Sequence, residues 1–362
     1  MKLGTLLLEI CGQGLYCPPA DIFIDPWYPV EKAVITHGHS DHARFGHKKY
    51  FAHKITNSIM RSRISPYIVC EDIPFGKEVN FNGVKVSLHP AGHIPGSAQV
   101  RLEYKGEICV ISGDYKTQND GISGEIEIVK CHTFITESTF GLPVYNWKTQ
   151  SEIFNDINDW WKRNKENGKS SVLTGYSLGK AQRILANVDR SIGKFFGHGS
   201  ITVMTEAIRK AGLSLPPLER VTGYTSKKEL AGALIIAPPS ALGSPWVRKF
   251  EPYAAGNASG WMNIRGAKRW QALDAGFALS DHADWKGLNS VIKETGAENI
   301  YVTHGFTSIF SRWLKESGYN AFELSTKFKG ESIGETPDEP VLPPAAGDVP
   351  MHKESVGKVT VK

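Results

Sequence analysis

The sequence predicts an α/β fold, and three observations carry that prediction. Several short β-rich runs between Glu78 and Ile111 end in turn signals. From about residue 149 helical patterns alternate with short strands. Several apolar runs end in a residue able to bind metal or move a proton.

Length and composition narrow the possibilities. A chain of 362 residues suits two domains, or one domain carrying an insertion. Mean hydropathy is -0.26, and the longest early apolar run, Leu6-Leu7-Leu8, is far short of the ~18 residues that span a bilayer. No membrane segment is expected. The N-terminus lacks the long apolar region and small-residue cleavage site of a secretory signal, so a cytoplasmic location is expected. Five cysteines are scattered and never form a C-x-x-C pair, which speaks against a disulfide framework and a thiolate zinc site. A net charge of +5 suits a polyanionic partner without specifying one.

Taken in order, the first elements read as hairpins. Glu78 to Phe81 and Val84 to Leu88 flank Asn82-Gly83; Ala98 to Tyr104 and Ile108 to Ile111 flank Lys105-Gly106. Gln150 to Asn164 is an amphipathic helix, Ser171 to Thr174 a strand, and Gly179 to Val188 and Ile201 to Ala211 are helices. Gly276 to Leu279 and Ile300 to Val302 read as strands around a helix at Trp285 to Glu294. The segment from about Gly330 is rich in Pro, Gly and charge and is expected to be a flexible tail. There is no internal repeat.

Five runs share a positional regularity. Ala33 to Thr36 precedes His37, Cys109 to Gly113 precedes Asp114, Thr133 to Thr136 precedes Glu137, Phe277 to Asp281 precedes His282, and Ile300 to Thr303 precedes His304. Clefts in α/β proteins lie outside strand ends, where rigid elements hold reactive groups. These five ends are expected to meet on one rim.

The densest cluster is His37-x-His39-x-Asp41-His42, three imidazoles and a carboxylate within six residues after an apolar run. Imidazole with carboxylate suits zinc, with manganese or iron open, because no thiolate narrows the choice. Two metals need further ligands. His93, in Gly92-His93, and Asp114, in Gly113-Asp114, are candidates.

H-x-H-x-D-H, a following Gly-His and a following Gly-Asp together resemble the metallo-β-lactamase superfamily. Asp25, in Ile24-Asp25-Pro26, resembles its first acidic motif, which supports the metal loop. The resemblance implies a four-layer αββα sandwich with two divalent ions at its edge. It assigns His37, His39 and His93 to one ion, Asp41 and His42 to the other, and Asp114 as the bridge. Paired ions about 3.5–4 Å apart activate a shared water and suit phosphodiesters as well as lactams and thioesters.

Ile135 to Gly141, Leu279 to Asp284 and Val302 to Gly305 resemble the A, B and C motifs of the β-CASP nucleases, in which a second α/β domain is inserted into the metal fold. The implied organisation is a metallo-β-lactamase part over 1–148, a β-CASP insert over 149–272, a return segment over 273–328 and a tail over 329–362. The implied catalytic set is Asp41, Glu137 and His282. Glu137 orients His282 as general acid, and His304 completes the second ion's shell. Longer stretches, among them His89 to Val100, Ser177 to Arg183 and Trp261 to Trp270, resemble bacterial exonucleases associated with an ATP-dependent DNA ligase and a helicase in DNA repair. Glu137 and His304 instead follow the pattern of RNA-processing relatives, where Artemis-like DNA nucleases have Asp and Val. DNA is the favoured substrate and RNA the alternative, with a non-catalytic nucleic-acid-binding protein a third reading.

Other signals are less specific. Gly175 to Gln182 opens a helix, where free amides favour an anion, and Ser177 and Lys180 are candidate contacts to substrate phosphate. Trp261, Arg265, Lys268, Arg269 and Trp270 mix rings and cations, as strand-binding grooves do. His198 sits between two glycines in a tight turn, and the sequon at Asn257 has no meaning in a cytoplasmic protein.

Overall fold

A computed structural model describes residues 7–264 and 272–327 and contains three sheets. The first sheet has six strands in chain order, Glu9–Cys11, Gly14–Cys17, Ile22–Ile24, Lys32–Val34, Lys49–Ala52 and Cys70–Asp72. The second has seven, ordered Asn320–Glu323, Asn299–Gly305, Thr133–Ser138, Glu107–Ile111, Ala98–Tyr104, Val84–Pro90 and Val79–Phe81. The expected hairpins form its antiparallel half. Asn82 and Gly83 take φ of 51° and 89°, and Lys105 and Gly106 take 51° and 84°, the left-handed pairs that match the twist of paired strands.

The two sheets pack face to face because alternate side chains point to opposite sides. Cys109, Ile111, Ile135 and Tyr301 of the second sheet meet Val34 and Phe51 of the first in one buried core. Their neighbours Val110, Phe134, Ile300 and Val302 face outward and are covered by Leu288, Val291 and Ile292 of helix Trp285–Thr295 and by Phe310 and Leu314 of helix Thr307–Glu316. Met60, on helix Lys54–Arg63, covers Ala33, Tyr50 and Ala52 on the far side of the first sheet. The result is a helix–sheet–sheet–helix sandwich.

The third sheet is wholly parallel, ordered Glu219–Arg220, Phe195–Gly197, Leu234–Ala237, Ser170–Thr174, Tyr253–Ala258 and Ala275–Phe277. All of it lies in sequence between Thr133–Ser138 and Asn299–Gly305, which pair directly in the second sheet. Its last strand falls past residue 272, where the sequence pattern ended the insertion, because Ala275–Phe277 pairs with Tyr253–Ala258. Helix Gln150–Glu166 starts at a Thr149–Glu152 capping box and buries Ile153, Phe154, Ile157, Trp160 and Trp161 on the sheet. Ile55 and Ile59 of helix Lys54–Arg63 join the same cluster, so the third sheet and the sandwich share packing. No helix among the described residues is long and apolar enough to cross a membrane.

Candidate metal centre and active site

Strand Lys32–Val34 ends just before Thr36, and the loop Thr36 to His42 turns over the edge of the sandwich. It is held close: a Cβ on Gly38 would lie 2.7 Å from Ile59. His37 Nε2 and His93 Nε2 each lie 3.1 Å from His39 Nδ1, and 3.6 and 3.8 Å from Asp114 Oδ2. A tetrahedron with edges of this size has its centre ~2 Å from each corner, the distance of zinc from imidazole nitrogen. These four residues form one group able to hold a metal ion.

A second group, His42, Asp114 and His304, stands beside it. Asp114 Oδ2 is 3.5 Å from His42 Nε2, Asp114 Oδ1 is 3.5 Å from His304 Nδ1, and Asp41 Oδ2 is 3.7 Å from His42 Nε2. Asp114 therefore belongs to both groups. His42 Nε2, Asp114 Oδ1 and His304 Nδ1 are buried without a hydrogen bond among the described residues. Buried polar atoms are nearly always paired, so donor atoms that converge unpaired fit a cation between them.

The far nitrogen of each imidazole has its own partner, which decides which nitrogen faces the centre. Thr36 Oγ1 donates to Asp25 Oδ2 at 2.6 Å and accepts from His37 Nδ1 at 3.1 Å. His42 Nδ1 donates to the same Asp25 oxygen at 2.7 Å, while Thr36 N donates to Oδ1 at 2.8 Å. His39 Nε2 donates to the Leu178 carbonyl at 3.2 Å, and His93 Nδ1 to the Asp281 carbonyl at 2.6 Å. Burial, then neighbouring imidazoles, holds His37 and His93 well below the usual histidine range, in the neutral form that binds metals. Burial would lower His42 too, but the carboxylates of Asp114, Asp41 and Asp25 outweigh it and raise His42 well above that range. Burial would raise Asp114, yet His42 and His304 hold it well below the usual carboxylate range.

A third group links Asp114 to Glu137 and His282. Glu137 lies near the end of the wholly buried strand Thr133–Ser138, and its Oε1 accepts from Tyr115 N at 2.7 Å. His282 Nδ1 meets Glu137 Oε1 and Oε2 at 2.9 and 2.8 Å. The rings of His282 and His93 lie 4.6 Å apart. The carboxylate–imidazole pair thus borders the first metal group.

No family model matches the chain. It is 30% identical over 316 residues to a protein named probable DNA ligase from Opitutus terrae, covering 86% of this chain and 30% of that one. It is 28% identical to RNase aCSPSF2 of Saccharolobus solfataricus over 32% of this chain and 23% of the relative. The human DNA cross-link repair 1A protein is 28% identical over 43% of this chain and 16% of the relative. Under a third of each relative's length is matched. Over the matched parts the chain is similar to nucleases of the β-CASP family of the metallo-β-lactamase superfamily. A solved structure of a protein of unknown function from Enterococcus faecalis shares the fold at 11% identity, with a TM-score of 0.57 over 83% of this chain and 80% of that one.

β-CASP nucleases use divalent metals, and the His/Asp cluster around Asp114 can bind them. Not every residue singled out from the sequence faces that cluster. Lys180 is only 1% exposed, with Nζ 3.6 Å from Asp281 Oδ2 and 4.5 Å from the Tyr176 ring centre. The residue expected to contact phosphate is thus held in a buried ion pair, because the helix start packs under the loop before His282. Ser177 is mostly buried, and its Oγ bonds Ser200 Oγ at 2.8 Å. His198 caps helix Gly199–Lys210 and stands edge-on to Trp246. Trp261 packs with Phe140, Tyr145 and Phe306, while Arg265, Lys268, Arg269 and Trp270 lie outside the described residues. Sequence reasoning missed the Leu178 and Asp281 carbonyls, which carry no side-chain signature, and Thr36, whose place directly before His37 was its only signal.

Proposed function

We propose that this chain is a metal-dependent phosphodiesterase acting on nucleic acid, a DNA exonuclease that trims ends during repair in the cytoplasm. The observation that carries the reading is the Glu137–His282 pair set against the two ligand groups that share Asp114. The alkoxide that leaves a phosphodiester needs the proton that such a buried acid–base pair can supply.

In this reading His37, His39, His93 and Asp114 hold one ion, and Asp114, Asp41, His42 and His304 the other, with zinc favoured by the all-imidazole and carboxylate donors. When bound, such ions supply water activation and neutralise charge on the phosphoryl oxygens. Glu137 fixes the His282 ring through Nδ1 and stabilises its imidazolium form. His282 Nε2 then delivers a proton to the departing sugar oxygen. Asp25 and Thr36 keep His42 and His37 turned toward the centre. The segment from residue 149 to Phe277, which carries helix Gln150–Glu166 and the third sheet, acts as an insert that closes over the site.

The match to part of a longer protein named probable DNA ligase supports a role beside a ligase, and a helicase is a further proposed partner. RNA is the second reading, supported by Glu137 and His304 and by the relative named an RNase. End-labelled single-stranded DNA and matched RNA, incubated with purified protein and zinc or manganese, separate the two. Progressive loss of DNA label is expected; cleavage of RNA alone would overturn the repair reading, and cleavage of neither would favour a binding protein.

A further inference from the structure

We propose that Lys180, Arg183 and Asp281 form a positioning clamp through which helix Lys180–Asn187 determines how firmly the first metal group keeps its ion. The inference rests on reading His37, His39, His93 and Asp114 as that group.

Asp281 has two jobs. Its carboxylate lies 3.6 Å from Lys180 Nζ and 3.4 Å from Arg183 Nη1, and all three side chains are at least 97% buried. Its backbone carbonyl accepts the 2.6 Å hydrogen bond from His93 Nδ1. Arg183 Nη1 also donates to the neighbouring Ser280 carbonyl at 2.6 Å, so both ends of the turn before His282 are tied to one helix. From the opposite side Lys116 Nζ donates to the His93 carbonyl at 3.1 Å and to Asp120 Oδ2 at 2.6 Å. His93 is therefore gripped at its ring and at its backbone.

The same helix start reaches a second imidazole. Leu178, two residues before Lys180, supplies the carbonyl for His39 Nε2. Gly179, at φ 90°, is pressed so near Ile94 that a Cβ would lie 2.2 Å from it, which rules out a looser fit. Two of the three histidines in the group thus depend on this one helix start, His39 directly through Leu178 and His93 through Asp281.

Buried ion pairs add little net stability, because desolvation offsets the attraction. What this one does supply is a fixed carbonyl. A carbonyl that holds the far N–H of a ligating histidine sets its tautomer and ring angle, and loss of such a partner weakens metal binding by about 10- to 100-fold. Lys180 and Arg183 are positioning residues, acting through Asp281 on His93.

The test loads the wild-type 362-residue chain, Lys180→Met, Lys180→Arg and Asp281→Asn with zinc. It follows transfer of zinc to a chromogenic chelator, thermal melting of the metal-free chains and KM on an end-labelled oligonucleotide. Lys180→Met and Asp281→Asn should lose affinity for zinc by roughly 10- to 100-fold, with KM little changed, and Lys180→Arg should stay near wild type. If one of the charge-removing variants melts in the metal-free state, the other carries the comparison. A folded Lys180→Met chain that keeps zinc as wild type does but shows a raised KM overturns the clamp and restores the phosphate contact. A wild-type chain that holds no zinc, manganese or iron overturns the metal reading itself, and the clamp with it.

Discussion

His282 Nδ1 hydrogen-bonds both carboxylate oxygens of Glu137, a residue 145 positions earlier in the chain. The pair is buried and further anchored by the Tyr115 N–H. A carboxylate so placed serves orientation and charge at once. Glu137→Gln and His282→Ala should each lower kcat by about 10²–10⁴-fold, the range of a positioned acid or base. Zinc content should stay at the wild-type value by atomic absorption. The double variant should be little worse than either single one, since the two act as a unit; additive losses would show that they act separately.

Asp114 is common to both ligand groups and also borders the Glu137–His282 pair, so its removal should not be confined to one ion. Asp114→Asn is expected to lose both metals on dialysis, where a variant of His304 should lose one. Metal-to-protein ratios measure this directly. One retained equivalent in Asp114→Asn would place it on a single ion. Chelator treatment of wild type should abolish cleavage, and added zinc or manganese should restore it.

Asp25 is a lever on His42 and His37 at once, directly at 2.7 Å and through Thr36. Asp25→Ala frees both rings to rotate. Affinity for the second ion should fall by roughly 10- to 100-fold, as for other partners that orient a ligating histidine. The loss should read out as a shifted zinc titration of activity, with full activity recovered at high zinc. A variant whose titration matches wild type would count against this orienting role.

Acid should destabilise the fold through His53, which caps helix Lys54–Arg63 by accepting from Ile55 N and stacks on Phe75 at 4.1 Å. Burial, then Lys54, lowers its pKa from 6.5 to about 4. Above pH 6.5 the ring is neutral in folded and unfolded chains alike and adds no pH dependence. As pH falls from there the unfolded chain takes up a proton that the folded chain refuses, so stability is lost progressively until about pH 4. His47, lowered to about 4 by burial, acts in the same direction. His53→Asn keeps a capping side chain and should flatten the fall in urea midpoint between these pH values. Parallel curves for variant and wild type would show that His53 is not responsible.

Much of the site was legible in the chain itself. His37, His39, Asp41 and His42 lie within one loop, where spacing alone limits where their side chains reach. Asn82-Gly83 and Lys105-Gly106 announced the hairpins because a two-residue turn needs left-handed backbone. The apolar runs before Asp114, Glu137 and His304 are strands of one sheet whose ends share an edge, so reactive residues at those ends are neighbours by construction.

The partners across the fold were decided by tertiary packing alone. The Gly-x-x-x-Gly-Lys string from Gly175 to Lys180 at a helix start reads as an anion site from sequence; only the loop packed above it shows that Asp281 lies beside the charge of Lys180. The hydrogen bonds that turn His39 and His93 inward end on the carbonyls of Leu178 and Asp281. Every residue has a carbonyl, so composition and spacing cannot single one out. Local patterns determine strands, turns and donor types. For His39 and His93, which nitrogen faces a metal depends on groups more than a hundred residues away, and only the packed sheets and the inserted helix bring them there.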